Sequence, residues 1–237
     1  MLTHKPWNPE SLLWLGCTFM LALSPGAVVA GLFADGSVAQ MAANITVLPV
    51  AILVSIIVWF QVNHRVYRSP IWLADTFGFN RKNTGRCLML GLVTGLGLVL
   101  ISMVLALLTS QLIHALGDQA EPQKLVTLIA EEYSKKENIR TLIFFVVMAV
   151  VVAPIAEEIL FRGILYPAIK QIGYPRLAAI GTALLFALFH VNLLTFASLM
   201  VVALGLIALY EFTDNLLAPI TAHAVFNASN LIMLFWR

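Results

Sequence analysis

Three short polar motifs interrupt the last third of an otherwise apolar sequence. They are EEILFR from Glu157 to Arg162, FALFH ending at His190, and HAVFN from His223 to Asn227. An ionised side chain near the middle of a bilayer costs about 2.5 kcal/mol or more, so such residues mark functional sites by default. The two carboxylates, the guanidinium and the two imidazoles therefore predict a buried functional site.

The spacing within the first motif predicts one paired carboxylate and one free carboxylate. Glu158 and Arg162 are four residues apart, so on a helix their charged groups can pair. Glu157 lies about a third of a turn away and can face another surface. Two adjacent carboxylates in a poorly hydrated site cannot both stay charged at low cost, which makes Glu157 a candidate general base. The alternative is a helix-packing ion pair without catalytic function.

Counting along the helices predicts that the motifs meet. A turn centred on Tyr174 separates Glu157, seventeen residues earlier, from His190, sixteen residues later. An antiparallel hairpin then brings both to one depth, about 25 Å from the turn at 1.5 Å per residue. His223 and Asn227 share one face of a later helix. Taken singly, these residues are explained equally well by interhelical hydrogen bonds.

Composition fixes the fold class. The chain is 60% hydrophobic and 11% charged, whereas a soluble domain carries about 25% charged residues. Unbroken apolar stretches and the absence of an alternating pattern predict an all-α polytopic membrane protein with about seven transmembrane helices, six to eight, and a catalytic helical core. The predicted spans are 11–34, 45–62, 87–113, 141–156, 177–189, 193–210 and 216–236.

The sequence divides into 1–140, with N-terminal transmembrane helices and interfacial connectors, and 141–237, with the catalytic core. The connectors are 67–83, where aromatic residues including Trp72 and Phe77 suit the headgroup region, and an amphipathic stretch at 123–133. Pro154 precedes the glutamates and loosens the helix locally. Arg162 is expected to reach the cytoplasmic interface.

Charge, cysteine spacing and small residues add four expectations. Lys and Arg concentrate in 65–86 and 162–176, which predicts that these segments face the cytoplasm. The net charge of +2 gives no indication of a nucleic-acid partner. Cys17 and Cys87 show neither disulfide nor metal-ligand spacing. Gly91 and Gly95 form a GxxxG pattern that indicates close helix packing.

Taken in order, EExxxR, FxxxH and HxxxN, with YEFTDNLLAPITAH leading into the last, resemble the CAAX prenyl protease and bacteriocin-processing (CPBP) family, also called Abi. This is a family of intramembrane glutamic proteases, and the resemblance covers 141–234. It implies peptide-bond hydrolysis by water that Glu157 activates with help from His190. His223 and Asn227 would stabilise the tetrahedral oxyanion.

The resemblance also implies supporting roles and a setting. Glu158 and Arg162 would orient Glu157, while Phe186 would pack the site. The expected setting is the bacterial plasma membrane, with the active site toward the cytoplasmic half. The expected partners are the lipid bilayer and a peptide or membrane-protein substrate, and no cofactor is expected. The sequence does not indicate an oligomeric state.

Other function classes stay open at this point. Glu157, His190 and His223 could form the two-histidine, one-carboxylate site of a zinc metalloprotease, although no HExxH helix is present. A non-catalytic immunity protein, as in bacteriocin immunity, or a scaffold protein is a second alternative. A proton-coupled transporter fits less well, because no repeated half is visible.

Overall fold

The computed structural model describes residues 2–5, 7, 10–33, 38–68, 76–79, 83–117, 119, 127, 129–130, 133 and 139–236. Within these ranges the regular structure is helical. The long helices are α1 (Ser11–Gly31), α2 (Val38–Arg65), α3 (Thr84–Ala115), α4 (Ile139–Gln171), α5 (Pro175–Phe189), α6 (Leu193–Thr213) and α7 (Leu217–Phe235).

The predicted polytopic membrane fold is confirmed. In the described part of the chain, five helices are long and apolar enough to cross a membrane: the Ile45–Arg65 part of α2, and α3, α4, α6 and α7. Ser11–Ser24 of α1 and all of α5 are apolar but shorter. The turn predicted between α4 and α5 is present, with Gly173 at a φ of 102° and Pro175 beginning α5. Glycine adopts this left-handed backbone without steric cost.

Helix α4 contains two π-helical segments that the sequence did not predict. They are Met148–Val152 and Ile159–Leu165, and they flank the α-helical turn Ala153–Glu158 that carries the two glutamates. A π segment shifts the backbone hydrogen bonds from i→i+4 to i→i+5 and is frequent at functional sites. The local loosening predicted at Pro154 is therefore a change in helix type on both sides of the EE pair.

Arg162 does not reach the cytoplasmic interface, and that expectation is wrong. Its side chain is only 1% exposed and lies inside the helix bundle. Two of the guanidinium nitrogens have acceptors there: Nη1 donates to Glu158 Oε1 at 2.8 Å, and Nη2 donates to the Ala203 carbonyl oxygen at 3.2 Å. The contact with Ala203 joins α4 to α6.

The glycine pattern in α3 forms a close seam against α7, as predicted. A Cβ atom on Gly91 would lie 2.7 Å from the Ala218 carbonyl oxygen, and one on Gly95 would lie 2.7 Å from that of Ala222. Only glycine permits backbones to approach this closely. The seam therefore sets the position of α7, which carries the HxxxN motif.

An N-terminal latch, residues 2–5 and 7, crosses the ends of α4 and α6. The Lys5 side chain is 2% exposed, and its Nζ lies 2.8 Å from Asp214 Oδ1. The Leu2 backbone N–H donates to Glu211 Oε2 at 3.4 Å, and Glu211 also pairs with Lys170. Nothing in the sequence pattern indicated this cluster.

The predicted interfacial connectors lie largely outside the described residues, including Trp72 and most of 123–133. Phe77 is described, and the headgroup location predicted for it is wrong. Its side chain is fully buried against Trp7 at a ring-centroid distance of 5.9 Å, and its carbonyl accepts a hydrogen bond from the Leu216 N–H at 2.9 Å. The buried contacts with the latch and the start of α7 hold Phe77 inside the protein.

Candidate active site

A cavity of about 270 Å³ lies between α1, α2, α4 and the end of α5. Its apolar lining consists of Phe19, Ile45, Leu48, Pro49, Ile52, Met148, Ala149, Ala153, Leu160, Phe161, Phe186 and Phe189. Its two polar lining residues are Glu157 and His190. Counting residues from the turn at Tyr174 predicted that these two residues lie at the same depth, and in the structure both line this cavity. An apolar pocket with a few convergent polar groups is typical of a small-molecule or peptide site.

The two adjacent glutamates face different surroundings. Glu157 is 8% exposed, lines the cavity, and places Oε2 3.9 Å from His223 Nε2. Glu158 is fully buried, and its Oε1 lies 2.8 Å from both Arg162 Nη1 and His223 Nδ1. The resemblance implied that Glu158 orients Glu157, but the structure places the Glu158 carboxylate on His223.

His190 ends α5 at a tight turn. Its Nδ1 lies 2.8 Å from the Phe186 carbonyl oxygen, which only accepts hydrogen bonds, so Nδ1 carries the hydrogen. In the neutral ring, Nε2 then has a free lone pair. Val191 follows with a φ of 45°, which is uncommon for a β-branched residue, and Asn192 caps α6 by accepting from the Thr195 N–H at 3.0 Å. This turn fixes where the imidazole lies.

Asn227 lies one turn after His223 on α7. Its Nδ2 donates to the carbonyl oxygen of Ala149 at 2.8 Å. Ala149 belongs to the first π-helical segment and lines the cavity. Asn227 is thus anchored beside the cavity wall, and a second N–H on the same amide nitrogen is available for another acceptor.

Phe186 packs between the polar residues of the site. Its ring centroid lies 4.9 Å from that of His190 and 5.6 Å from that of His223. The Arg162 guanidinium carbon lies 4.6 Å from the same centroid, within cation–π range. Phe186 is therefore the common packing partner of Arg162, His190 and His223.

The sequence motifs did not identify every contributor to this region. The carbonyl oxygens of Ala149 and Ala203 hold Asn227 and Arg162, and α2 supplies one wall of the cavity. Backbone acceptors carry no residue-type signal, and the α2 wall is aliphatic like any lipid-facing helix. No sequence pattern distinguishes such residues from the surrounding apolar spans.

The residues of the zinc alternative are not arranged as a metal site. Across the described ranges, no group of three His, Cys, Asp or Glu side chains lies close enough to hold a metal ion. Nδ1 of His223 is occupied by Glu158, and Nδ1 of His190 by the Phe186 carbonyl. This geometry gives no support to a Glu157, His190 and His223 ligand set.

Comparison with known proteins identifies the C-terminal part of the chain. Residues 139–229 match the family model described as type II CAAX prenyl endopeptidase Rce1-like. All six site residues lie inside the matched segment. Neither a curated protein nor a solved structure matches the chain at a significant level. Over residues 139–229 the chain is therefore similar to the Rce1-like CAAX prenyl endopeptidases, and this match supports a CAAX-type protease.

Proposed function

We propose that the chain hydrolyses a peptide bond of a membrane-associated or leader-type peptide, with Glu157 as the general base. One observation carries this proposal: Glu157 and His190 are the polar residues of an otherwise apolar cavity inside a membrane-spanning bundle. A carboxylate and an imidazole that line the same cavity can bind and activate a water molecule. The Rce1-like match supports the same reaction class.

The mechanism follows from the hydrogen-bond roles of the side chains. Glu157 takes a proton from the bound water, and the free Nε2 lone pair of His190 accepts the second water hydrogen and orients the nucleophile. The water oxygen attacks the scissile carbonyl carbon, and negative charge develops on the carbonyl oxygen. The Asn227 amide and His223 donate hydrogen bonds to that oxygen. Fixed donors in a poorly hydrated site stabilise such charge strongly.

The cavity supports an apolar substrate segment. Its wall is built from aliphatic and phenylalanine side chains contributed by α1, α2, α4 and α5. An unfolded or extended membrane peptide can place an apolar side chain there while its backbone reaches Glu157. We therefore propose a leader peptide or a small membrane protein as the substrate class.

We also propose a bacterial plasma membrane location, with the active site toward the cytoplasmic half. Arg65, Arg86, Lys170 and Arg176 lie at the ends of α2 to α5 that share one side of the bundle, which supports a cytoplasmic location for that side. Reporter fusions placed after residue 68 and after residue 173 test this topology. Cytoplasmic activity of both fusions is expected, and periplasmic activity of both would reverse the orientation.

A comparison of protein termini tests the proposed reaction. Cells carrying the wild-type chain, Glu157→Gln or the control His64→Gln are compared at equal membrane levels of the protein. His64 is exposed and lies outside the cavity. New termini are expected with the wild type and the control but not with Glu157→Gln. Identical termini in all three, with the cellular phenotype retained, would favour a non-catalytic immunity or scaffold role.

Metal dependence has its own test on purified protein. Cleavage of a peptide identified by the termini comparison is expected to continue after treatment with a zinc chelator, because the geometry does not form a three-ligand site. Loss of cleavage on chelation, restored by zinc, would establish the metalloprotease instead.

A further inference from the structure

Glu158 determines which nitrogen of His223 carries a hydrogen. Glu158 Oε1 lies 2.8 Å from His223 Nδ1 and accepts from Arg162 Nη1 at 2.8 Å. Glu158 is paired with the Arg162 guanidinium, and a carboxylate in such an ion pair only accepts hydrogen bonds. The hydrogen on the imidazole is therefore on Nδ1.

This assignment restricts what Nε2 can do. In a neutral imidazole with its hydrogen on Nδ1, Nε2 is an acceptor and cannot donate to an oxyanion. Only the imidazolium carries a hydrogen on both nitrogens. His223 can thus serve the oxyanion only when it is positively charged, and in that state it also holds a proton beside the scissile bond.

The charges around His223 suit an imidazolium. Glu158 binds Nδ1, and Glu157 Oε2 lies 3.9 Å from Nε2. The nearby positive charge of Arg162 would disfavour an imidazolium, but it pairs with Glu158 and lies over the ring of Phe186. The His190 ring also packs against this phenylalanine, at a centroid distance of 4.9 Å. Two carboxylates therefore lie beside the nitrogens of the His223 ring, whereas the guanidinium of Arg162 is hydrogen-bonded to one of these carboxylates, Glu158.

We propose that His223 is the general acid of the reaction, held as an imidazolium by Glu158, and that it protonates the leaving amine. This inference rests on the proposed peptidase function. Attack of water forms the C–O bond and transfers one water proton to Glu157. Collapse of the tetrahedral intermediate breaks the C–N bond, and the nitrogen, which receives the electron pair, takes the proton from His223 Nε2.

The catalytic groups then return to their starting state. The proton on Glu157 crosses the 3.9 Å gap to His223 Nε2 once the amine product has left. One water is consumed, and one carboxylic acid and one amine are released. Glu158 is a positioning residue in this scheme, because it fixes the ring without touching the reacting atoms.

Leaving-group dependence tests the role of His223. The assay uses the peptide that spans the cleavage site found by the termini comparison, and the same peptide with its scissile amide replaced by a thioester. A thiolate departs without being protonated, whereas an amine does not. Both substrates are cleaved by one protein preparation, so the inactive fraction of a variant cancels in the ratio of the two rates.

His223→Gln keeps a side-chain N–H donor but removes the titratable proton. We expect amide cleavage to fall about 100-fold or more, with thioester cleavage falling less than about tenfold. The thioester-to-amide ratio should therefore rise at least about tenfold. Asn227→Ala serves as the comparison, because loss of an oxyanion donor lowers both rates together and leaves the ratio unchanged.

Equal losses on the two substrates in His223→Gln would overturn the proposal and leave His223 as an oxyanion donor alone. Because His223 is buried, His223→Asn is prepared in parallel, and the ratio from the variant that accumulates decides. Failure of the proposed function has a different result: the wild type would cleave neither substrate, or Glu157→Gln would retain full activity on both.

Discussion

Asn227 donates its side-chain amide to the carbonyl oxygen of Ala149 at 2.8 Å, joining α7 to the first π-helical segment of α4. The bond links the last polar motif to a part of the cavity wall that lies 78 residues earlier in the chain. It sets the direction of the remaining amide hydrogen. The HxxxN motif and the π segment are therefore connected through one side chain.

Replacing Asn227 by alanine is expected to slow peptide cleavage about 100-fold, the effect of losing one oxyanion donor. Asn230→Ala is the matched control, since Asn230 Nδ2 donates to the Phe226 carbonyl within α7 itself at 2.9 Å. Initial rates on the identified peptide measure both effects. A wild-type rate in Asn227→Ala would remove this residue from the catalytic site.

Substitution of Glu158 should mainly lower stability, whereas substitution of Glu157 should mainly lower activity. Glu158→Gln leaves Arg162 buried without its ionised partner, and breaking such a pair costs about 3–5 kcal/mol of unfolding free energy. Glu157→Gln keeps that pair and is expected to cost less than about 1 kcal/mol while slowing cleavage about 100-fold or more. Denaturant unfolding in detergent micelles, alongside the peptide assay, measures the difference. Equal stability of the two variants would contradict the distinct surroundings of the carboxylates.

Insertion of a methyl group into the α3–α7 seam should displace the HxxxN motif. Gly91→Ala and Gly95→Ala each place a Cβ atom 2.7 Å from a backbone carbonyl oxygen of α7. Over-packing of this kind costs about 1–3 kcal/mol, and cleavage should fall with it. Gly97→Ala is the control, because a Cβ atom there meets nothing within 4 Å. Unchanged stability and rate in the first two variants would show that α7 can shift without loss.

Long unbroken apolar stretches made the helical part of the fold predictable, because lipid leaves the backbone few alternatives. Counting residues from the turn between α4 and α5 likewise predicted that Glu157 and His190 lie at the same depth in the bundle. It missed His223 as a second partner of Glu158, since a side chain on α7 can reach either carboxylate. It also placed Arg162 at the interface, because a basic residue near a helix end is usually solvated. Contacts with Ala203 and Glu158 hold it inside instead.

Removal of the Lys5 ammonium group should loosen the N-terminal latch. Lys5→Met leaves Asp214 without its 2.8 Å partner, and the expected cost is about 1.5–3 kcal/mol, the range for a hydrogen bond to a charged group. His4→Ala is the control, because His4 is exposed beside Lys5. A double-mutant cycle with Asp214→Asn isolates the pair, and additive effects of the two substitutions would mean that it contributes nothing.

The latch places a constraint on assembly in the membrane. Lys5 and Asp214 are separated by 209 residues, so the ammonium group leaves the ribosome long before its carboxylate exists. Until α6 has been inserted and its last turn has reached the same side of the bilayer, Leu2 and Lys5 lack their carboxylate partners on Glu211 and Asp214. Closure of the latch is thus a late event that reports complete insertion, and a chain stopped before α6 would leave this segment open to proteases on that side.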